Sequence, residues 1–142
     1  MILVGRNCIG CLALSLVLMG EVLGQAHGFL KVRVMEGDGA FNDIRHKIGH
    51  AMSVEVRDQN GQPATGVEVI FVAPTMGASG AFSNGNRTIT TKTDMEGVAK
   101  VAALRPNATE GRFNIVVTAR QADREGSAVI TQSNSTAVVV RH

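Results

Sequence analysis

A chain of 142 residues with 14 Lys and Arg against 12 Asp and Glu has a formal charge of +2. Its cations are scattered rather than clustered, so nucleic acid is not an expected partner. Trp and Tyr are absent, which argues against a sugar-stacking platform. Both cysteines, Cys8 and Cys11, lie near the N-terminus, so the rest of the chain must fold without disulfides.

The opening segment "MILVGRNCIGCLALSLVLMGEVLGQA" has one Arg and an apolar stretch from Cys8 to Met19, followed by Gly24 and Ala26. Small residues three and one before a cut at Ala26/His27 are the layout of a cleavable signal peptide over residues 1–26. An apolar run of about a dozen residues is too short for a bilayer-spanning helix, which needs about 20, so no stable membrane span is expected. Cys8 and Cys11 form a C-x-x-C inside this export segment and read as packing residues rather than redox chemistry. Cys11 also lies too early to be a lipoprotein cysteine. Arg6 and Glu21 leave together, and the charge of +2 is unchanged. The remainder, from His27 to His142, is of single-domain size. Export without disulfides points to a bacterial protein that is secreted or held in the periplasm or cell envelope.

Residues 27–50 read as an N-terminal strand, Leu30 to Met35, and a connector. In "EGDGAFND" the carboxylates Glu36, Asp38 and Asp43 are spaced by glycines, which favours a bend over a cation site or an acid–base pair. His46 and His50 stand four apart, the spacing that brings two metal ligands onto one helical face. The residue after His46 is Lys47, where a zinc protease has Glu, and Gly49 weakens a helix. Two solvated histidines are the expectation, and no metal site is assigned.

From Ala51 onward apolar residues recur at period two, punctuated by Gly, Asn, Asp and Pro. Strands are expected at Ala51–Arg57, Val67–Ala73, Thr88–Thr93, Val98–Leu104, Arg112–Arg120 and Ser127–Gln132. With Leu30–Met35 these make about seven short strands and no helix of ordinary length, the pattern of a two-sheet antiparallel sandwich. Its core is placed in residues 51–134. Phe113, Ile115, Val117 and Ala119 face one way, and Asn114, Thr118 and Arg120 the other. Met52, Val54 and Val56 point inward, and Asp58-Gln59-Asn60-Gly61 then reverses the chain. Asp58 can accept a backbone N–H, and Gly61 can take a positive φ. Asp94-Met95-Glu96-Gly97 repeats the arrangement. One or two carboxylates per turn fall short of the roughly six to eight oxygens that Ca²⁺ requires.

Thr75–Arg87 is rich in Gly, Ser and Asn. Gly77-Ala78-Ser79-Gly80-Ala81 approaches the nucleophile elbow but ends in Ala81 and lacks the strand-then-helix setting. It reads as a flexible loop with Phe82 packed inward as an anchor, one from which Ala78–Asn84 could be cut at little cost. Loops on a rigid sandwich often bind partners, and exposed strand edges do the same. Asn86-Arg87-Thr88, Asn107-Ala108-Thr109 and Asn134-Ser135-Thr136 match the N-glycosylation pattern, which carries no meaning in a bacterial source. Residues 135–142 form a tail whose apolar part, from Ala137, is too short to cross a membrane. It is either an added edge strand or a disordered end.

In "VRDQNGQPATGVEVIF" the residues Val56, Asp58, Gly61, Pro63, Gly66, Val67, Val69 and Phe71, together with "TDMEGVA" at Thr93–Ala99, carry a resemblance. Over roughly Ala51 to Asn134 the chain resembles the bacterial immunoglobulin-like domains of the intimin and invasin type. Carboxypeptidase-regulatory-like domains are near neighbours. The resemblance implies an Ig-like β-sandwich used as a spacer, stalk or adhesion module at the bacterial surface, without catalytic residues. Here the module stands as a single copy, where the adhesins carry tandem arrays. The expectation is therefore a non-catalytic exported module with no assigned catalytic, cofactor-binding or metal-binding residue. Any partner would be met through strand edges or the Thr75–Arg87 loop. Two other readings stay open: a carbohydrate- or peptide-binding accessory module using that loop, and a small metal-dependent hydrolase built on His46, His50 and nearby carboxylates.

Overall fold

The computed structural model describes residues 28–136. The expected signal peptide, with Cys8 and Cys11, and the tail from Ala137 lie outside the described residues. Strands follow one another as β1 (Lys31–Glu36), β2 (Ala40–Asp43), β3 (Met52–Arg57), β4 (Glu68–Val72), β5 (Gly80–Ala81), β6 (Thr88–Lys92), β7 (Val98–Val101), β8 (Arg105–Pro106), β9 (Gly111–Gln121) and β10 (Arg124–Ser135). No helix occurs among the described residues.

The strands form a five-stranded sheet in the order β2-β10-β9-β4-β6, a three-stranded sheet in the order β1-β3-β7, and the short pair β5-β8. Neighbours are antiparallel except β2, which runs parallel to β10. Alternation decides which side chains are buried. On β9 it is Phe113, Ile115, Val117 and Ala119, and on β3 Met52, Val54 and Val56, with Ser53 buried on the opposite parity. These meet Val69 and Phe71 of β4, Ala99 and Val101 of β7 and Ile130 of β10 in one hydrophobic cluster shared by both larger sheets. Burying each of the larger side chains contributes about 1.5–3 kcal/mol, so truncating Ile115 to Ala should cost about 2–5 kcal/mol.

The expected strands occur in place, with three informative differences. Val98–Leu104 does not run through: β7 ends at Val101, Ala102 and Ala103 are exposed, and the buried Leu104 leads into β8. Ser127–Gln132 is the middle of a longer strand, β10, which continues to Ser135 through the buried polar residues Gln132 and Asn134. Most of all, "EGDGAFND" is more than a bend. Its second half is β2, hydrogen-bonded along β10 from Ala40↔Gln132 to Asp43↔Ser135. Apolar periodicity does not reveal β2 because its inward residue is Asn42, which is buried.

The two Asp-x-x-Gly turns have the same hydrogen bonds. Asp58 Oδ1 accepts from the backbone N–H of Asn60 at 2.8 Å and of Gln62 at 2.9 Å. Asp94 Oδ1 accepts from Glu96 at 2.9 Å and Val98 at 2.9 Å. Each turn is closed by the glycine N–H donating to the Asp carbonyl, and φ is +81° at Gly61 and +78° at Gly97.

Candidate functional site

Thr75–Arg87, the stretch singled out as a contact loop, lies between β4, which ends at Val72, and β6, which begins at Thr88. It is not the flexible, removable loop that its composition suggests. Ala78, Ser79, Gly80 and Phe82 are buried. Gly80–Ala81 pairs with Arg105–Pro106 as β5-β8, and the Phe82 ring meets Phe71 edge-on at 6.4 Å, so Phe82 anchors as expected. Ser79 Oγ donates to the Pro74 carbonyl at 2.6 Å, and Arg87 donates to the same oxygen at 2.7 Å. A hydroxyl held this way is not presented as a nucleophile. Cutting Ala78–Asn84 would remove part of the core, and the low cost expected of that deletion is corrected accordingly. The exposed remainder is Thr75 to Gly77, with Met76 83% exposed, and the Ser83–Asn86 turn. That turn is fixed by Asn84, whose Oδ1 accepts from Asn86 N–H and whose Nδ2 donates to the Thr88 carbonyl.

Behind the loop lies a cluster of amides that sequence reading missed. Asn107 Oδ1 accepts from the N–H of Ser79 and of Thr109, and its Nδ2 donates to the Gly77 carbonyl. Asn134 Nδ2 reaches the Ser79 carbonyl at 2.8 Å, Asn107 Oδ1 at 3.1 Å and the Thr109 carbonyl at 3.2 Å. Asn42 Nδ2 donates to Gln132 Oε1 and Asn134 Oδ1, and Gln132 Nε2 donates to the Gly37 carbonyl. Asn42 Oδ1 is buried without a hydrogen-bond partner, a cost of about 1–3 kcal/mol that the surrounding bonds offset. Gln132 and Asn134 share the parity of the buried Ile130, which is the one signal in the sequence that placed them inward. The network is neutral and holds strands to loop; it has no acid, base or nucleophile.

The ionisable candidates fall into two groups: Glu36, Asp38 and His50 line one open pocket of about 280 Å³, and His46 is paired with Asp43 outside that lining. His46 and His50 stand on no helix: Ile44–Lys47 form a turn closed by Asp43 N–H to the Ile48 carbonyl at 2.8 Å. His46 Nδ1 lies 2.8 Å from Asp43 Oδ2, while His50 Nε2 lies 2.9 Å from the Phe41 carbonyl. The hydrogen bond from His46 is the main cause that lowers the Asp43 pKa. Asp38 Oδ1 accepts from Thr131 N–H at 2.9 Å, and Glu36 accepts from Ser53 Oγ at 3.5 Å. Among the described residues, no three of His, Cys, Asp and Glu gather as metal ligands do.

An open groove of about 530 Å³ lies on the outer face of the β1-β3-β7 sheet, between Met35, Pro63, Met95 and Lys100. Its floor carries Glu55, which pairs with Arg33 and Arg57 at 3.0 Å each. Hydrogen bonds from Arg57 first, then Arg33, lower the Glu55 pKa. Among the described residues, β6 and β2 are the outermost strands of the larger sheet and β1 and β7 those of the smaller, with Asp43 of β2 bridged on its outer side to Ile48. No protein-family model matches the chain, and no curated protein matches it.

Proposed function

We propose that the chain is a non-catalytic immunoglobulin-like β-sandwich of the intimin and invasin type, exported by a signal peptide over residues 1–26, with a structural or adhesive role at the bacterial cell envelope. Its work is to present a surface: strand edges such as β6, and the exposed tips of Thr75–Arg87. One observation carries this reading. The side chains best suited to chemistry are spent on holding the fold: Ser79 on Pro74, Asp43 on His46 and its own turn, and Asp38 on β10. The shared core of the two sheets and the paired Asp-x-x-Gly turns support the sandwich assignment.

Export is tested by expressing the full chain in a bacterial host and measuring the mass of the periplasmic product. A product beginning at His27 is expected, and a cytoplasmic product retaining Met1 would sink the export claim. Non-catalysis is tested with ester, peptide and glycoside substrates, alongside the His46→Ala/His50→Ala variant. Turnover that this double change abolishes would overturn it. Surface presentation is tested by capture from the source's envelope fraction with wild type and Met76→Glu, a change at an exposed tip that leaves the buried part of the loop alone.

A further inference from the structure

The outward face of the five-stranded sheet has an ordered pattern that the core does not require. Strand register aligns Thr88, Val72, Val116 and Val129 in one row across β6, β4, β9 and β10. The three valines are 39%, 44% and 50% exposed, an apolar strip in the middle of the face. Four residues along the strands, the same register aligns Lys92, Glu68, Arg120 and Glu125. All four are exposed, and their charges alternate, plus, minus, plus, minus. Arg120 and Glu125 approach at 3.5 Å, whereas Lys92 and Glu68 have no ion-pair partner among the described residues.

We propose that this face docks a second copy of the chain, face to face about a two-fold axis that runs along the strands between β4 and β9. Such an axis reverses the order of the row in the other copy. Lys92 then lies over Glu125, Glu68 over Arg120, and the same two contacts recur by symmetry, so four opposite pairs form. An axis between β6 and β4, or between β9 and β10, leaves part of the row unmatched. The charge order therefore selects both the occupant and the axis. Val72 comes over Val116 in the same arrangement, so the apolar strip is buried at the centre of the contact. Sheets packed face to face keep their strands within about 30° of alignment. The valines supply the burial, and the charge row supplies the orientation, as charge pairs at an interface commonly do.

The test is sedimentation of the purified chain over a range of concentrations. Wild type should dimerise, and Val116→Glu should lose the dimer. Glu68→Arg alone sets Arg against Arg120 of the other copy twice over; Arg120→Glu alone sets Glu against Glu68. Each single variant should sediment as a monomer with an unchanged circular dichroism spectrum. An equimolar mixture of the two should recover the dimer, because the two reversed charges then face each other across the contact as an opposite pair. Glu68 and Arg120 are also cross-strand neighbours within one chain, and only the mixture separates that contact from the one between copies. A wild-type chain that stays monomeric up to about 1 mM, where even a weak contact is populated, would overturn the proposal. Single variants that still dimerise, or a mixture that fails to recover the dimer, would do the same.

Discussion

The turns Asp58–Gly61 and Asp94–Gly97 share their hydrogen bonds and the sign of φ at their glycines, and differ in what surrounds those glycines. At Gly61 an added Cβ would meet nothing within 4 Å. At Gly97 it would lie 2.6 Å from the Val56 carbonyl oxygen and 3.2 Å from the Ala64 nitrogen. The reason is that the second turn lies against the strand the first turn leaves: Val56 N–H donates to the Gly97 carbonyl at 2.7 Å, and Ala64 N–H to the Val56 carbonyl at 2.9 Å. One local motif thus makes a free reversal in one place and a joint between three chain segments in the other. A motif dictates its own backbone; neighbours decide how much stability rests on it.

The largest expected effect is at the joint. Gly97→Val should destabilise by about 3 kcal/mol, since left-handed strain is added to the displacement of two backbone hydrogen bonds. Gly97→Ala should still cost about 2 kcal/mol, because the clash is at Cβ. Urea unfolding that gave Gly97→Ala no more effect than Gly61→Ala would remove the close approach as the source of the difference. Gly61→Ala should cost only about 1 kcal/mol, the strain of a side chain at positive φ.

Smaller still, Asp58→Ala and Asp94→Ala should each cost about 1 kcal/mol, as the loss of a comparable helix cap does. The two values should agree within about 0.5 kcal/mol, because the carboxylates accept the same pair of N–H groups. Unequal losses would show that the shared hydrogen bonds are not of equal worth in the two settings.

Acid supplies the finest discrimination. Hydrogen bonding, from Gln62 N–H foremost, lowers the Asp58 pKa from its ordinary value of 3.8. A carboxylate depressed in the folded state stabilises the protein above its unfolded pKa and loses that contribution as pH falls through the folded value. Thermal midpoints should therefore be flat above about pH 5 and decline below the ordinary carboxylate range. The decline should be shallower in Asp58→Asn. Asp43 and Glu55 are lowered as well, so some decline should remain in that variant.

Much of this architecture was legible in the sequence where apolar residues alternate cleanly. Phe113, Ile115, Val117 and Ala119 mark β9, and the positive φ of Gly61 and Gly97 follows from the Asp-x-x-Gly spacing. Illegible were the places where polar or small residues fill the interior. Asn42, Gln132 and Asn134 are buried through mutual amide bonds, which hydropathy cannot distinguish from exposure. Ala78, Ser79 and Gly80 looked like loop residues because they are small, yet all three are buried, and the missing Cβ of Gly80 is what lets β5 lie against Leu104 and Arg105. At two residues each, β5 and β8 are too short to show any period. As for the loop, its composition gave no sign of the buried base, Ala78 to Gly80, beneath the exposed Thr75–Gly77 and Ser83–Asn86.

The parallel pairing of β2 with β10 bears on the order in which the chain assembles. Asn42 reaches Gln132 and Asn134 across sequence separations of 90 and 92 residues, whereas β9 and β10 are joined through a two-residue hairpin. Closing so long a loop costs entropy before its contacts form, and distant pairings slow folding. The β9–β10 hairpin is thus expected to form early, with β2 closing over it last. The register of that closure is fixed by amide bonding, since a slip of one residue would turn Phe41 or Asp43 into the slot that Asn42 fills. In hydrogen exchange, the β2 amides should open ahead of those of β9, at a free energy below that of global unfolding.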